Sequence, residues 1–436
     1  MNRCTPGSLL PRGSRAFSRR DLLALAARGA GAALAAPSLL DLLFRQAFAQ
    51  AAPGGARRRK LILLWLDGGP SQIDTFDPKP GTPSQGPFQV IPTAVDGWTM
   101  GEHLPQLARC ADRLALVRSM TSQESTHARA RELLHAGYVP NASVNFPSLG
   151  SIVAHQIGDL DHDLPAFVQV SGAPVSSGYL GIECEPFHVE DPSRRIENLQ
   201  DPLGGEPGPA RARDEMLALL DGGFAARGGA RAAAMVDTQR RRARRLMQTR
   251  LLSAFELDRE PDALRAAYGG GAFGQGVLLA RRLVEHGVAA VEVILDGWDT
   301  HADNFNRTRD LCRQLDPAFA TLVADLAGRG LLEETLVVCM GEFGRTPAIT
   351  PSLGRNHWPN NYCVVLAGCG VRPGTVVGET DETGVKIVKR PVQVADLFAT
   401  FARLLGIDRD REFPTASGRT IRLIDPEGNV VSELLG

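Results

Sequence analysis

Nothing in this chain outlines a zinc finger, because its seven cysteines fall into neither a CxxC nor a CxxH spacing. An excess of one charge is missing too, with 48 basic against 49 acidic residues, and no basic stripe interleaved with aromatics marks a nucleic-acid surface. Long apolar runs are confined to the N-terminus, so no later segment is expected to span a bilayer. Cys4 belongs to that N-terminal stretch. The others, Cys110, Cys184, Cys312, Cys339, Cys363 and Cys369, are expected to be mostly buried thiols rather than bridges needed for folding. This balance leaves small-molecule or glycan ligands open as partners, leaves oligomeric state open, and points away from nucleic acid.

What is present begins with Ser18-Arg19-Arg20-Asp21-Leu22-Leu23, an alanine- and leucine-rich stretch, and then Ala47-Phe48-Ala49. This is the pattern of a twin-arginine signal with cleavage after Ala49. Arg28 moderates the apolar stretch, which suits such a signal better than a membrane anchor. The expected organisation is a signal over 1–49, an Ala/Gly/Arg linker over 50–59, and a folded domain over 60–436 in the periplasm or outside the cell. Loss of seven arginines and two aspartates would take the net charge from −1 to about −6.

Lys60–Leu66 is a nearly continuous apolar run, as expected of a strand covered on both faces. Further strands are expected at Leu114–Val117, Ala166–Val170, Ala289–Leu295, Thr335–Met340 and Tyr362–Leu366. Stretches with helical spacing, Gly276–His286 and Asp316–Gly328, each precede a strand by a short glycine-containing link. Such βαβ grammar predicts a largely parallel sheet covered on both faces. Between about 185 and 271 a Pro/Gly-rich loop and arginine-rich helical sequence predict an inserted helical cap, its run Arg240, Arg241, Arg242, Arg244, Arg245 forming a solvated face or an anion site. Gly374–Lys389 alternates as a β-hairpin would.

Chemistry concentrates where strands end. The first strand stops at Asp67-Gly68-Gly69-Pro70, the run Ala289–Leu295 leads into Asp296-Gly297-Trp298-Asp299-Thr300-His301, and Thr335–Met340 leads into Gly341-Glu342-Phe343-Gly344-Arg345. Asn356-His357 follows in a loop. Carboxylates and imidazoles delivered to one sheet edge form a shell suited to a divalent cation. Taken singly, Asp67 is also a turn residue, His301 a helix cap, His357 a loop histidine, and Glu342 a partner for Arg345. The segment Arg118–Gly137 opens a helix with Ser125, Thr126 and His127 at its start and Arg129 and Arg131 beyond, reading as an N-capped helix or an anion-binding end.

The twin-arginine start and the motifs LWLDGGPSQIDTFDPKP, NFPSLGSIV, YLGIECEPF, LLARRLVEHGVAAVEVILDGWDTHADNF, GLLEETLVVCMGEFGRTP, GRNHWPNNYCVVLAG and DLFATFARLLGID resemble the bacterial "domain of unknown function 1501" family over nearly the whole mature chain. That family in turn resembles the alkaline phosphatase and sulfatase superfamily. The resemblance implies a three-layer αβα domain, alkaline-phosphatase-like, whose sheet edge binds one or two divalent metals (zinc, manganese or calcium) and catalyses phosphoryl or sulfuryl transfer.

On that comparison Asp67 matches the first-strand metal aspartate, and Asp296 or Asp299 with His301 matches a later aspartate and histidine. Glu342 stands for the aspartate of an Asp-His-Gly turn, and His357 for a later ligand. Arg118–Gly137 resembles the nucleophile helix, which places a nucleophile near Thr126 or His127. Two departures stand out: Phe343 replaces a metal-binding histidine, and no Cys/Ser-x-Pro-x-Arg signature is present. The function expected is an exported, metal-dependent hydrolase of phosphate or sulfate esters. In it Asp67, Asp296, Asp299, His301, Glu342 and His357 are candidate ligands, Thr126 and His127 candidate nucleophile or acid/base, and Arg345 or Arg129 steadies the anion. The alternative is an inactive envelope-associated scaffold on the same fold.

Overall fold

A computed structural model describes residues 58–194, 196, 199, 207–414 and 420–436. The signal and its cleavage position, together with linker residues 50–57, lie outside the described residues. The main sheet has nine strands. They are β1 (Lys60–Leu66), β2 (Leu114–Thr121), β3 (Phe167–Val170), β4 (Phe187–Val189), β5 (Ala290–Leu295), β6 (Thr335–Met340), β7 (Tyr362–Ala367), β8 (Thr375–Val377) and β9 (Val392–Gln393). Their order is β8-β2-β7-β6-β1-β5-β3-β4, with β9 also on β2. Every pairing is parallel except those of β7, which runs against both β2 and β6.

Alternation along β1 assigns the two faces. Ile62, Leu64 and Leu66 join one core with Val277, Leu278 and Leu283 of helix Ala272–Glu285 and Leu315 and Phe319 of helix Asn304–Gly328. Leu61, Leu63 and Trp65 join the other, with Leu133 and Leu134 of α1 (His127–Ala136), Ile152 of helix Leu149–Gln156 and Phe398 of helix Val394–Leu405. The result is the three-layer αβα architecture. The six described cysteines are free.

Two expected boundaries differ. Phe187–Val189, at the start of the expected cap, pairs in parallel with β3 and extends the sheet, its strand signal hidden by a short run between prolines. The C-terminal hairpin is narrower than its pattern, formed by Glu379–Thr380 against Ile387–Lys389, because Val376 and Val377 are taken into the main sheet beside β2. No helix among the described residues is long and apolar enough to cross a membrane.

Behind the carboxyl edge lies a buried ion pair the sequence did not announce. Arg355 binds Asp74 through Nε (2.7 Å) and Nη2 (2.9 Å), with both side chains 0% exposed. The same guanidinium donates to the carbonyls of Thr346, Pro347 and Ser84, and Asn304 Nδ2 donates to Asp74 at 2.8 Å. Asp74→Ala strands that cation and is expected to cost about 3–5 kcal/mol in denaturant unfolding, whereas an apolar pair at both positions should recover much of the loss.

Candidate metal centre at the carboxyl edge

The turn after β1 is shaped by glycine. Gly68 and Gly69 have φ of +108° and +76°, and a Cβ on Gly68 would lie 2.3 Å from the Asp299 nitrogen. The strand end is thereby pressed against the loop after β5, and Trp298 N–H donates to the Asp67 carbonyl at 3.1 Å.

Arg345 ties these loops together from within. Its side chain is 0% exposed; Nε donates to Gly69 O at 2.9 Å, Nη1 to Arg355 O at 3.2 Å, and Nη2 to Gly68 O and to Asp299 Oδ1, the latter at 2.7 Å. Gln72 holds its backbone at both ends, accepting from Arg345 N and donating to Arg345 O. Burial pulls Arg345 down from the ordinary guanidinium range, and Asp299 opposes that pull. Burial likewise disfavours the Asp299 charge, but the hydrogen bond and charge of Arg345, joined by the nearby His127 and His301, together outweigh it and hold the carboxyl below its usual value. Arg345 pairs with Asp299, not Glu342, and its full burial lets it act on the site only through that aspartate.

Three imidazoles face Asp299 Oδ1: His301 Nε2 at 3.2 Å, His127 Nε2 at 3.4 Å and His357 Nε2 at 3.6 Å. Each ring is held by its other nitrogen. His127 Nδ1 lies 2.7 Å from Glu342 Oε1, His357 Nδ1 2.7 Å from the Ser125 carbonyl, and His301 Nδ1 3.0 Å from Asn356 Oδ1. These partners accept, so each Nδ1 donates, and a neutral ring turns its Nε2 lone pair toward Asp299. His301 and His357 Nε2 then meet at 2.9 Å, lone pair against lone pair, while His127 Nε2 is buried without a hydrogen bond. A cation relieves both. His127, Asp299 and His357 offer ligand atoms within 4.8 Å of one another, and this nitrogen and oxygen donor set fits a divalent ion of the zinc or manganese kind.

The remaining predicted residues fall around this cluster. Glu342 is 1% exposed and accepts from Gly68 N–H at 2.9 Å as well as from His127, so it stands behind the imidazole. Asp67 Oδ1 accepts from Trp65 Nε1 at 2.8 Å and lies 3.5 Å from Arg131, with no contact to the imidazoles among the described residues. Asp296 is exposed and accepts from its own neighbour, Gly297 N–H. Thr126 is the exposed residue at the N-cap of α1, its side chain making no capping bond, and Arg129 pairs with Glu124. Phe343 is buried beneath the rings, 4.6 Å from His357 and 5.0 Å from His127 between centroids.

Sequence reasoning assigned no role to Asn356, Gln72 or Asp74. Asn356 had one signal, adjacency to His357. His357 itself lies opposite Arg345 in a two-residue antiparallel ladder, and Arg355 N–H donates to Thr300 O at 3.0 Å. Gly354 closes the arrangement: a Cβ there would sit 1.8 Å from the His301 carbonyl oxygen.

Fold and site together define a three-layer α/β protein with a histidine/aspartate cluster at the carboxyl edge of its sheet. The chain belongs to the family described as "Protein of unknown function (DUF1501)", whose model matches residues 58–435. Among solved structures it is similar to the PsFucS1 sulfatase from Pseudoalteromonas sp. (13% identity, TM-score 0.37, covering 85% of this chain and 72% of that one). It is similar also to the C-terminal periplasmic domain of EcEptC from Escherichia coli in complex with Zn (10%, 0.39, 88% and 90%). A third is a protein in the alkaline phosphatase superfamily from Vibrio parahaemolyticus (9%, 0.39, 85% and 75%). A search of curated proteins returned no match.

The Glu342 hydrogen bond raises the His127 pKa above its ordinary 6.5, against the effect of burial. Protonated His127 therefore stabilises the fold fully below about pH 6.5, and that contribution is lost as pH rises through the higher folded value. In chelator-treated protein, Glu342→Gln is expected to lower the His127 pKa in an NMR titration; an unmoved titration would show that Glu342 does not set the state of the ring.

Proposed function

We propose that the protein is an exported, metal-dependent hydrolase of phosphate or sulfate esters, with His127, Asp299 and His357 holding one divalent cation and His301 completing the set. The observation that carries this is the convergence of three Nδ1-anchored imidazoles on one carboxylate oxygen. When bound, such a cation supplies Lewis acidity toward a phosphoryl or sulfuryl oxygen. The chain's own residues prepare that edge: Arg345 fixes Asp299, Glu342 orients His127, and Phe343 backs two of the rings. The cluster is open, with Asp299 46% and His301 47% exposed, so an ester group can approach from solvent. Thr126 Oγ1, at the helix start beside His127, is the chain's candidate nucleophile. Export rests on the twin-arginine pattern of residues 18–23.

A second reading, a scaffold without turnover, draws on Phe343, which fills the place where the superfamily resemblance implies a further ligand. Metal analysis and an ester panel separate the two. About one divalent ion per chain is expected, with chelation lowering the melting temperature by several degrees and His357→Ala or Asp299→Ala abolishing both metal and hydrolysis of aryl phosphates, phosphodiesters or aryl sulfates. A tightly held metal with no turnover favours the scaffold. No metal and no effect of chelation would overturn the metal centre itself.

A further inference from the structure

The cap carries a feature the metal centre does not use. Helices Pro207–Phe224 and Ala230–Gln248 form a hairpin, tied across by the ion pairs Asp214–Arg244 and Asp221–Arg240. The arginine run is thus largely engaged within the protein: Arg241 pairs with Asp237 at 2.8 Å, Arg242 donates to Ile182 O, and Arg245 donates to Asp161 O.

Beside its charged side chains the hairpin leaves an apolar stripe in solvent. Met216 (65% exposed), Leu219 (79%), Leu220 (63%) and Phe224 (48%) recur at i, i+3, i+4 and i+8, along one face of the first helix, and Met235 and Val236 add to them from the second. Among the described residues the other exposed large apolar ones, Val139, Leu160, Leu353, Val385 and Val388, are scattered along the rest of the sequence. The undescribed segment nearest in sequence, 200–206, reads QDPLGGE and offers a single large apolar side chain to cover this face.

Charge selects the occupant. Residues 207–248 hold nine arginines against four acidic residues, net +5, on a chain that is net −1 overall. Pairing two such hairpins face to face would bring like charge together, and among the described residues the other exposed large apolar side chains form no comparable stripe to receive this one. A surface that is both anionic and apolar just beneath its charge is an anionic phospholipid layer. We propose that this hairpin lies on an anionic lipid surface, with Leu219, Leu220 and Phe224 entering the headgroup boundary and the exposed Arg227 facing the headgroups.

The test is flotation of the full chain with vesicles of phosphatidylcholine alone or with about one third phosphatidylglycerol, beside Leu219→Gln/Leu220→Gln/Phe224→Gln. Residues 1–49 are identical in the two proteins, so a difference between them belongs to the hairpin, and all three positions are solvent-exposed, so the fold should persist by circular dichroism. Expected is salt-sensitive binding to the anionic vesicles that the triple variant loses by about tenfold or more. Equal binding by both proteins would overturn the proposal. So would no binding by either, or a wild-type dimer that the substitutions convert to monomer without any lipid effect.

Discussion

One guanidinium holds the carboxyl edge in register. Arg345 is withdrawn from water and finds its acceptors on three separate segments: the glycine turn after the first strand, the loop after Leu295, and the backbone at Arg355. Loss of a carbonyl would leave a buried donor unsatisfied and loss of Asp299 would leave a buried charge unbalanced, which makes the three segments mutually dependent. Asp299 is the only charged member of that set with an exposed face. Its negative charge therefore serves inward and outward at once, neutralising Arg345 and confronting three imidazoles.

The carboxylates that the strands deliver to this edge have been sorted by burial into different jobs. Asp299 meets solvent and the ring nitrogens; Glu342, a residue longer by one methylene and sunk beneath the turn, reaches a backbone N–H and the far nitrogen of His127. Asp67 leans the other way, toward Trp65 and Arg131 on the helix side of the sheet. Phe343 contributes shape in place of coordination, a flat surface against which two rings rest.

The layers of the fold were legible because uninterrupted apolar runs such as Lys60–Leu66 and Thr335–Met340 have few solutions other than central strands. The direction of Tyr362–Ala367 was not, since a fully buried strand carries no mark of which way its neighbours run. At the site, strand ends drew attention to Asp299, His301 and Glu342, and the following loop to His357, side chains that the structure brings near one another around His127 and Asp299. Which carboxylate faces the imidazoles depends on side-chain reach and on pairing across more than forty residues of sequence, as with Asp299 and Arg345. The Asp74–Arg355 pair was invisible for the same reason: each member looks like an ordinary surface residue until 281 residues of chain bring them together.

Gly354 sets the spacing of the cluster by omission. With the His301 carbonyl occupying the space where a side chain would begin, the His301 and His357 loops close to a distance that no other amino acid permits. The gap between two imidazole nitrogens is thus encoded by a missing carbon three residues from one ring and more than fifty from the other. Drift in the family toward any residue with a Cβ at this position would be expected to open the two loops like a gate, separating the rings while leaving every ring in the sequence intact.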